Sequence, residues 1–290
     1  MVLESKRKPS KVGKANGSEG RISKLIADGH LRAVFQPIVD MATGKVFAYE
    51  ALARTTAPDI KGPPHMFDTA IAEGMCGVLG RRLRELSVDG CPDAPLFLNI
   101  HPNEFDERWL VQPDDPIFGH ERAVYLEITE SVPLSHFELC NSILREIRGK
   151  GVNLVVDDLG AGYSNLKYIA DLTPEVVKLD RGLIAGLAGD ARLRKLVSAM
   201  VRLCEELGAA VVAEGIETRE ELEAVLDAGV GYGQGYYLAR PNFPPPQVPR
   251  DLVPSPSSKR KTTATRPPMR ERTLPPKAPV KKTRRQTTRF

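Results

Sequence analysis

Polar residues of the types that bind metal ions or transfer protons lie at or near the ends of short apolar segments throughout the sequence. The eight positions are Glu50, Asn99, Glu127, Asp157, Asp158, Lys178, Glu214 and Gln234. Successive segments that carry them are 20 to 49 residues apart. The set is therefore spread over consecutive strand-sized units, and only a fold can bring it together.

Five of these side chains are carboxylates, and at one place they could not all remain ionised without positive charge beside them. Lys178 alone supplies too little charge, so bound cations are the natural compensation. The potential ligands are carboxylate and amide oxygens, without Cys or His, which favours Mg²⁺ or Mn²⁺ over zinc. Asp157 and Asp158 in tandem could serve two ions about 3.5–4 Å apart, the separation used in two-metal phosphoryl chemistry.

Eight apolar, mostly β-rich segments contain or precede these residues and predict strands. They cover 33–39, 46–53, 96–100, 124–128, 152–156, 176–179, 209–213 and, more weakly, 230–234. Helical periodicity at 67–86, 137–147 and 193–207 separates several of them, and Thr218 with Glu221 forms a capping box before a further helix. Residues 40–44 predict a tight turn, so the first two strands form an antiparallel hairpin, whereas helical connections make the later strands parallel.

This order of elements predicts an α/β fold, an irregular TIM-like (β/α)8 barrel with an antiparallel first strand. A doubly wound open sheet is the alternative, but no Gly-rich phosphate loop follows the first strand. In a barrel the carboxyl ends of the strands meet on one face, where active sites are assembled. The barrel would therefore bring the dispersed carboxylates together.

The formal charge of +4 hides a division along the chain. Residues 259–290 carry a net charge of +11 and residues 1–20 a net +3, which leaves −10 for residues 21–258. Twelve of the 24 prolines lie in 241–290. We therefore predict a disordered basic N-terminus at 1–20, a folded domain at 21–243 and a disordered Pro-rich basic tail at 244–290.

Several classes of protein are excluded or disfavoured by the composition. No segment approaches the roughly 18 apolar residues of a membrane helix, and the N-terminus has no apolar stretch typical of a signal peptide. The four cysteines are widely spaced and predict buried, reduced thiols, which favours a cytoplasmic protein. From the length we expect no attached sensor or cyclase domain, and therefore control through partners, dimerisation or expression.

The ordered motifs resemble those of the EAL-domain phosphodiesterases, which hydrolyse the bacterial second messenger cyclic di-GMP. They are FQPI at 35–38, EALAR at 50–54, LN at 98–99, LEITE at 126–130, DDLGAGYS at 157–164, VKLD at 177–180, AEGIET at 213–218 and QGY at 234–236. Each motif alone is weak, but together, in the family's order over about residues 22–243, they are specific.

The resemblance implies a metal site and a catalytic group. The first metal would be held by Glu50, Asn99, Glu127 and Asp157. Asp157 would bridge to a second ion that Asp158 also binds. Lys178 would orient the attacking water and help to deprotonate it, and Glu214 would hold metal-bound water, so both are expected to be catalytic together with Glu50.

Other matching positions imply contacts with the substrate or support for the site. Gln36, Leu52 and Arg54 would contact the dinucleotide, with the Arg54 guanidinium at a phosphate. Gln234 would contribute a water contact, and Glu130 would anchor the loop after Asp158 that joins metal occupancy to dimer contacts.

The reaction implied is in-line attack by water on one 3′–5′ phosphodiester, giving linear 5′-pGpG and lowering the second messenger. The family implies two Mg²⁺ or Mn²⁺ ions as cofactors, inhibition by Ca²⁺, and a homodimer. Leu159 and Ala161 replace the Phe and Thr of the commonest family loop, which puts the loop's conformation and its coupling to the dimer in question.

Two other functions remain open at this point. A non-catalytic cyclic di-GMP receptor or scaffold could use the same barrel, although such proteins usually lack ligands that are all present here. The basic tail could contact an anionic partner such as nucleic acid, or act as a salt-sensitive brake on the acidic domain. It holds one aromatic residue, Phe290, which argues against base stacking.

Overall fold

Eight strands close into a barrel in sequence order, which confirms the predicted fold. The computed structural model describes residues 20–105, 110, 112–129, 137–161, 166–249 and 251–253. The strands are β1 (Leu31–Asp40), β2 (Val46–Thr55), β3 (Leu96–Asn99), β4 (Val124–Thr129), β5 (Asn153–Leu159), β6 (Val176–Leu179), β7 (Ala210–Ala213) and β8 (Tyr232–Gly233).

The first strand runs against the others, as the sequence predicted. β1 pairs antiparallel with β2 and with β8, and the remaining neighbours pair in parallel. Asp40 forms the turn between β1 and β2, because its carboxylate accepts hydrogen bonds from the backbone N–H groups of Ala42 and Thr43. Gly44 then adopts a positive φ of 66°, which glycine allows without steric cost.

Helices surround the barrel and connect its parallel strands. They are α1 (Arg21–Ala27), α2 (Pro63–Glu73), α3 (Cys76–Gly90), α4 (Pro116–Gly119), α5 (Phe137–Gly149), α6 (Lys167–Leu172), α7 (Arg181–Ile184), α8 (Ala191–Glu206) and α9 (Arg219–Asp227), with a 3₁₀ turn at Pro102–Glu104. Among the described residues, no helix is both long and apolar enough to cross a membrane.

The single helix predicted over 67–86 is two helices. Gly74 ends α2 in the left-handed conformation with a φ of 66°, and its backbone N–H bonds to the carbonyls of Ala70 and Ile71. Apolar periodicity continues across this break, because both helices pack on the barrel. Periodicity alone therefore missed the stop that glycine provides at a helix C-terminus.

An apolar layer fills the lower part of the barrel interior, and we call it the floor layer. Its members are Ile38, Ala48, Phe97, Tyr125, Val155, Val176, Val212 and the partly buried Tyr232. The rings of Phe97 and Tyr125 stack with centroids 4.4 Å apart. The barrel is consequently a packed core and not a pore.

The chain continues to pack against the barrel after residue 243, where the sequence placed the end of the domain. Asn242 pairs with Phe35 of β1, and the Tyr49 hydroxyl donates a hydrogen bond to the Pro246 carbonyl at 3.0 Å. Val248 and Val253 are buried in the main core. Of the predicted disordered segments, 1–20 and 244–290, residues 1–19, 250 and 254–290 lie outside the described residues.

Candidate metal centre at the barrel mouth

The alternation of side chains along the strands places seven of the eight predicted polar residues, all except Asp158, in one layer above the floor layer. Each lies two residues beyond a floor-layer residue on a parallel strand, as Asn99 follows Phe97 and Glu127 follows Tyr125. The same relation holds for Glu50, Asp157, Lys178, Glu214 and Gln234. Gln36 instead precedes Ile38 by two residues, because β1 runs in the opposite direction. The polar layer is thus set by strand register.

Lys178 is the positive centre of this layer. Its side chain is 1% exposed, and Nζ lies near carboxylate oxygens from four other strands or strand ends. The distances are 2.6 Å to Glu214, 2.7 Å to Glu127, 3.1 Å to Asp157 and 3.5 Å to Glu50. Residues that are up to 164 positions apart in sequence are therefore brought to a single ammonium group.

Amide side chains hold Glu50 from both sides. Asn99 Nδ2 donates to Glu50 Oε1 at 3.0 Å, and Gln234 Nε2 donates to Glu50 Oε2 at 2.6 Å. Gln234 also donates to Gln36 Oε1 at 2.9 Å, while Gln36 donates to the Ala239 carbonyl. The structure thus places Gln36 and Gln234 in direct contact with each other and links them to the first predicted metal ligand.

Two adjacent aspartates can face the same site only if the strand is interrupted, because consecutive strand residues point to opposite faces. The interruption is present at the end of β5. Pairing with β6 shifts register between Val156 and Leu159, and Asp158 has a φ of 59°, in the left-handed region. Oxygens of Asp157, Asp158 and Glu214 consequently lie within 4.8 Å of one another.

Burial and crowding change the acidity of the site. Burial, together with the charges of Glu50 and Asp157, raises the pKa of Glu127 well above its usual value. Burial and the charge of Asp157 raise the pKa of Asp158 to about 6, and burial raises that of Glu214 to about 8. Without added cations, Glu214 therefore retains its proton at neutral pH, and Asp158 releases its proton only near pH 6.

Two groups of the site are shifted toward their charged forms. Burial opposes ionisation of Glu50, but the Lys178 charge and the Gln234 and Asn99 hydrogen bonds outweigh it and lower its pKa. Burial also opposes the charge on Lys178, but the surrounding carboxylates raise the Lys178 pKa well above its usual value. Lys178 is therefore an ammonium ion in this arrangement.

The side chains present fit a hard divalent cation. Every candidate ligand atom in the polar layer is an oxygen, as Mg²⁺ and Mn²⁺ prefer. Glu127 Oε2 is buried and has no hydrogen-bond donor among the described residues. Such an acceptor is costly to bury unless something electropositive meets it. The five carboxylates also exceed the single charge of Lys178.

A groove of about 560 Å³ opens beside Asn99 and is mainly apolar. Leu52 and Arg54, the predicted substrate contacts of β2, both line it. Arg54 is exposed and donates a hydrogen bond to the Ala53 carbonyl. Arg54 is thus available to a ligand, whereas Gln36 is buried within the polar layer.

Other predicted positions are placed less fully by the structure. Glu130 lies outside the described residues. Leu159 is buried in the main core at the end of β5, and Ala161 is exposed just after it. An aliphatic side chain at position 159 is therefore accommodated by core packing.

Sequence reasoning did not find two features beside the groove. Phe67 and His101 line the groove and stack with ring centroids 5.2 Å apart. Arg84, whose side chain is 2% exposed, also reaches the groove from α3. The one available signal was the Asn-Ile-His-Pro sequence at 99–102, which follows directly on the predicted strand.

A family model of the EAL domain matches residues 19–241. The cyclic di-GMP phosphodiesterase PA2567 of Pseudomonas aeruginosa is 32% identical, and the match covers 73% of this chain and 38% of that protein. The cyclic di-GMP phosphodiesterase RocR of the same organism is 29% identical over 74% of this chain and 58% of its own length. This chain spans 27–38% of the length of the first three relatives.

A solved structure shows the same fold with metal and ligand in place. The manganese and cyclic di-GMP complex of Klebsiella pneumoniae BlrP1 has a TM-score of 0.67 and 27% identity, covering 76% of this chain and 58% of that one. Divalent metal ions and cyclic di-GMP thus occur together in a structure similar to this barrel.

Proposed function

The chain belongs to the EAL domain family, and from this premise we propose that it hydrolyses one phosphodiester bond of cyclic di-GMP to give linear 5′-pGpG. The observation that carries the proposal is the cluster of buried carboxylates around Lys178, with Asp157, Asp158 and Glu214 oxygens within 4.8 Å of one another. Burying this many carboxylates is costly unless bound cations offset their charge.

The residues that would hold two Mg²⁺ or Mn²⁺ ions are Glu50, Asn99, Glu127, Asp157 and Asp158, with Glu214 beside them. When bound, divalent ions offset the carboxylate charge, polarise a phosphoryl oxygen and lower the pKa of water. Asn99 and Gln234 would fix the orientation of Glu50 through the hydrogen bonds that they already donate. We expect Ca²⁺ to inhibit, since its longer bonds and variable geometry suit this compact set poorly.

Lys178 would act chiefly as a hydrogen-bond donor. Its ammonium group can orient a water molecule and stabilise negative charge at the phosphate, and in the metal-free protein the carboxylates around it favour this protonated form. The help with deprotonation that the family resemblance implied would require that charge to be lost. Lys178 therefore has a clearer role in positioning than as a base.

Arg54 would meet the substrate at the edge of the groove. Its guanidinium is exposed and can pair with two phosphate oxygens. Leu52 would pack against the apolar part of the nucleotide from the same strand. Gln36 would act from within the polar layer, where its amide joins Gln234.

Incubation of the full chain with cyclic di-GMP and Mn²⁺ or Mg²⁺, followed by chromatography for pGpG, tests the proposal. We expect turnover that EDTA abolishes, and a loss of at least about 100-fold in Glu50→Gln, since that change removes a ligand charge. Glu223→Gln, which alters an exposed carboxylate paired with Arg219 on α9, is the matched control. Binding of cyclic di-GMP without turnover in wild type would instead support a receptor.

A further inference from the structure

Three charged side chains form a buried network outside the polar layer. Arg84 Nη1 lies 2.5 Å from Glu104 Oε2, and Arg84 Nη2 lies 2.8 Å from Asp115 Oδ2. The exposed fractions of these side chains are 2% for Arg84 and 0% for both acids. With one cation and two carboxylates, the network carries a surplus of one negative charge.

The network ties three separate segments to one guanidinium group. Arg84 lies on α3, Glu104 ends the 3₁₀ turn after β3, and Asp115 caps α4 by accepting from Ile117 N. The planar fork of Arg84 bonds both acids in fixed directions, with Nε also donating to Asp115 at 3.2 Å.

Glu104 carries this constraint to the candidate metal centre. Its Oε1 accepts a hydrogen bond from the His101 backbone N–H at 3.0 Å. His101 comes two residues after Asn99, and between them the Ile100 N–H bonds to the Glu127 carbonyl at 3.1 Å. The segment that begins with Asn99 is thus held at two adjacent residues, Ile100 by β4 and His101 by Glu104.

Stability alone gives a poor account of such a network. Taking three charges out of water is expensive, and well-packed apolar residues often stabilise a core as well or better. What apolar residues cannot provide is a fixed direction for the His101 backbone. The network also stands next to the groove, which Gly80, Arg84 and His101 line.

We propose that Arg84, acting through Glu104, is a positioning residue that sets the 99–104 segment so that Asn99 faces the metal ligands and His101 forms the groove wall. This inference rests on the proposed function, because Asn99 has its role only if metal binds. Neither Arg84 nor Glu104 contacts a reacting group; both act through the backbone that they hold.

Mn²⁺ affinity of the full chain, measured by titration calorimetry or by the electron paramagnetic resonance of free Mn²⁺, tests the assignment. Glu104→Gln and Arg84→Lys should each weaken Mn²⁺ binding about 10- to 100-fold, as the loss of a supporting partner does in metal sites. At saturating Mn²⁺ we expect kcat of both variants to return to the wild-type value. Their KM for cyclic di-GMP should remain above the wild-type value, because His101 of the groove wall is still displaced. Arg84→Lys keeps the buried charge and so keeps the test available if Glu104→Gln fails to fold.

Two controls separate positioning from general loss of stability. Asp114→Asn changes the neighbouring carboxylate, which is 76% exposed and pairs with Arg81, and should leave Mn²⁺ affinity within about twofold. Val225 lies on α9 and is buried in the hydrophobic core, so Val225→Ala creates a cavity there. This variant should be less stable than wild type but should bind Mn²⁺ with the same affinity.

Unchanged Mn²⁺ affinity in the Arg84 and Glu104 variants would overturn the inference, as would equal weakening in Val225→Ala. A wild-type chain that binds Mn²⁺ but leaves cyclic di-GMP intact would overturn the proposed hydrolysis alone. The Mn²⁺ affinities of the variants would still decide the positioning role.

Discussion

Asp158 combines a conformation that disfavours its side chain with a carboxylate that the neighbours repel. Non-glycine residues rarely adopt a φ of 59°, and Asp157 lies beside it with the same charge. Both features are unfavourable in the metal-free protein. They are retained where the proposed second ion needs a ligand, which is where strained residues tend to occur.

Asp158→Gly should therefore stabilise the protein while removing its activity. In EDTA we expect a gain of about 1 kcal/mol in the free energy of unfolding, because glycine accepts the left-handed conformation and the repulsion is lost. Urea denaturation measures the first effect and pGpG formation the second. Asp158→Asn is the control, since asparagine tolerates this conformation and removes only the charge. A destabilised Asp158→Gly would contradict the reasoning.

The raised pKa values of Asp158 and Glu214 predict how stability depends on pH. With values of about 6 and about 8, the folded metal-free protein holds protons that the unfolded chain has already released. Its free energy of unfolding should therefore fall as pH rises from 6 to 8, by about 1.4 kcal/mol per pH unit while folded Glu214 still holds its proton. Asp158 loses its remaining proton early in this range and should add less than about 1 kcal/mol in total.

Urea denaturation in EDTA across that range measures the decline. Mn²⁺ competes with the retained protons, so the stabilisation that Mn²⁺ adds should grow over the same range. Equal stability of the metal-free protein at pH 6 and pH 8 would show that these carboxyls are not perturbed as described.

At the scale of elements, α3 approaches the turn after β3 so closely that only glycine fits at position 80. A Cβ atom there would lie 2.0 Å from Glu104 Oε2. The Glu104 carboxylate cannot move aside freely, because Arg84 and the His101 N–H hold both of its oxygens. The glycine is therefore part of the way in which helix and turn meet.

Gly80→Ala should destabilise the protein, although alanine is about 1 kcal/mol better than glycine within a helix. We expect a net loss of about 2 kcal/mol or more from the disturbed buried ion pair, measured by thermal or urea unfolding. Gly149→Ala, at the end of α5 where nothing lies within 4 Å of the added methyl, should leave stability unchanged or slightly higher. Similar values for the two variants would refute this contact.

The sequence was informative about the site because one arrangement, an apolar segment that ends in a polar residue, repeats along the chain. Each of these polar residues lies at or near the end of an apolar segment, so strand order and the converging strand ends were enough to group Asn99, Glu127 and Lys178. The contacts of Arg84 could not be predicted, because they depend on how α3 packs against segments 20 and 31 residues away. Nor does periodicity reveal the break at Gly74.

At the scale of the whole molecule, the residues after the family match contribute to the barrel. Val248 and Val253 are buried, and Pro246 accepts a hydrogen bond from Tyr49. The basic tail that follows has a net charge opposite to that of residues 21–258. Any test of the tail must therefore preserve the packed part of the C-terminal segment.

A chain that ends at residue 253 should be as stable as the full chain, whereas one that ends at 243 should lose about 3 kcal/mol from the exposed valine sites. Urea denaturation of both chains measures this difference. If the tail acts as an electrostatic brake, the chain ending at 253 should turn over cyclic di-GMP faster than the full chain at low salt, and equally fast at high salt. Equal rates at every salt concentration would exclude the brake.

The floor layer determines the side from which ions and nucleotide can reach the site. Stacked rings and aliphatic side chains fill the barrel below the carboxylates, so the site is closed on that side and opens at the barrel mouth. Ion, nucleotide and product would all share that opening. A nucleotide lying across the mouth would then trap the ions beneath it, and their exchange would wait until the product departs.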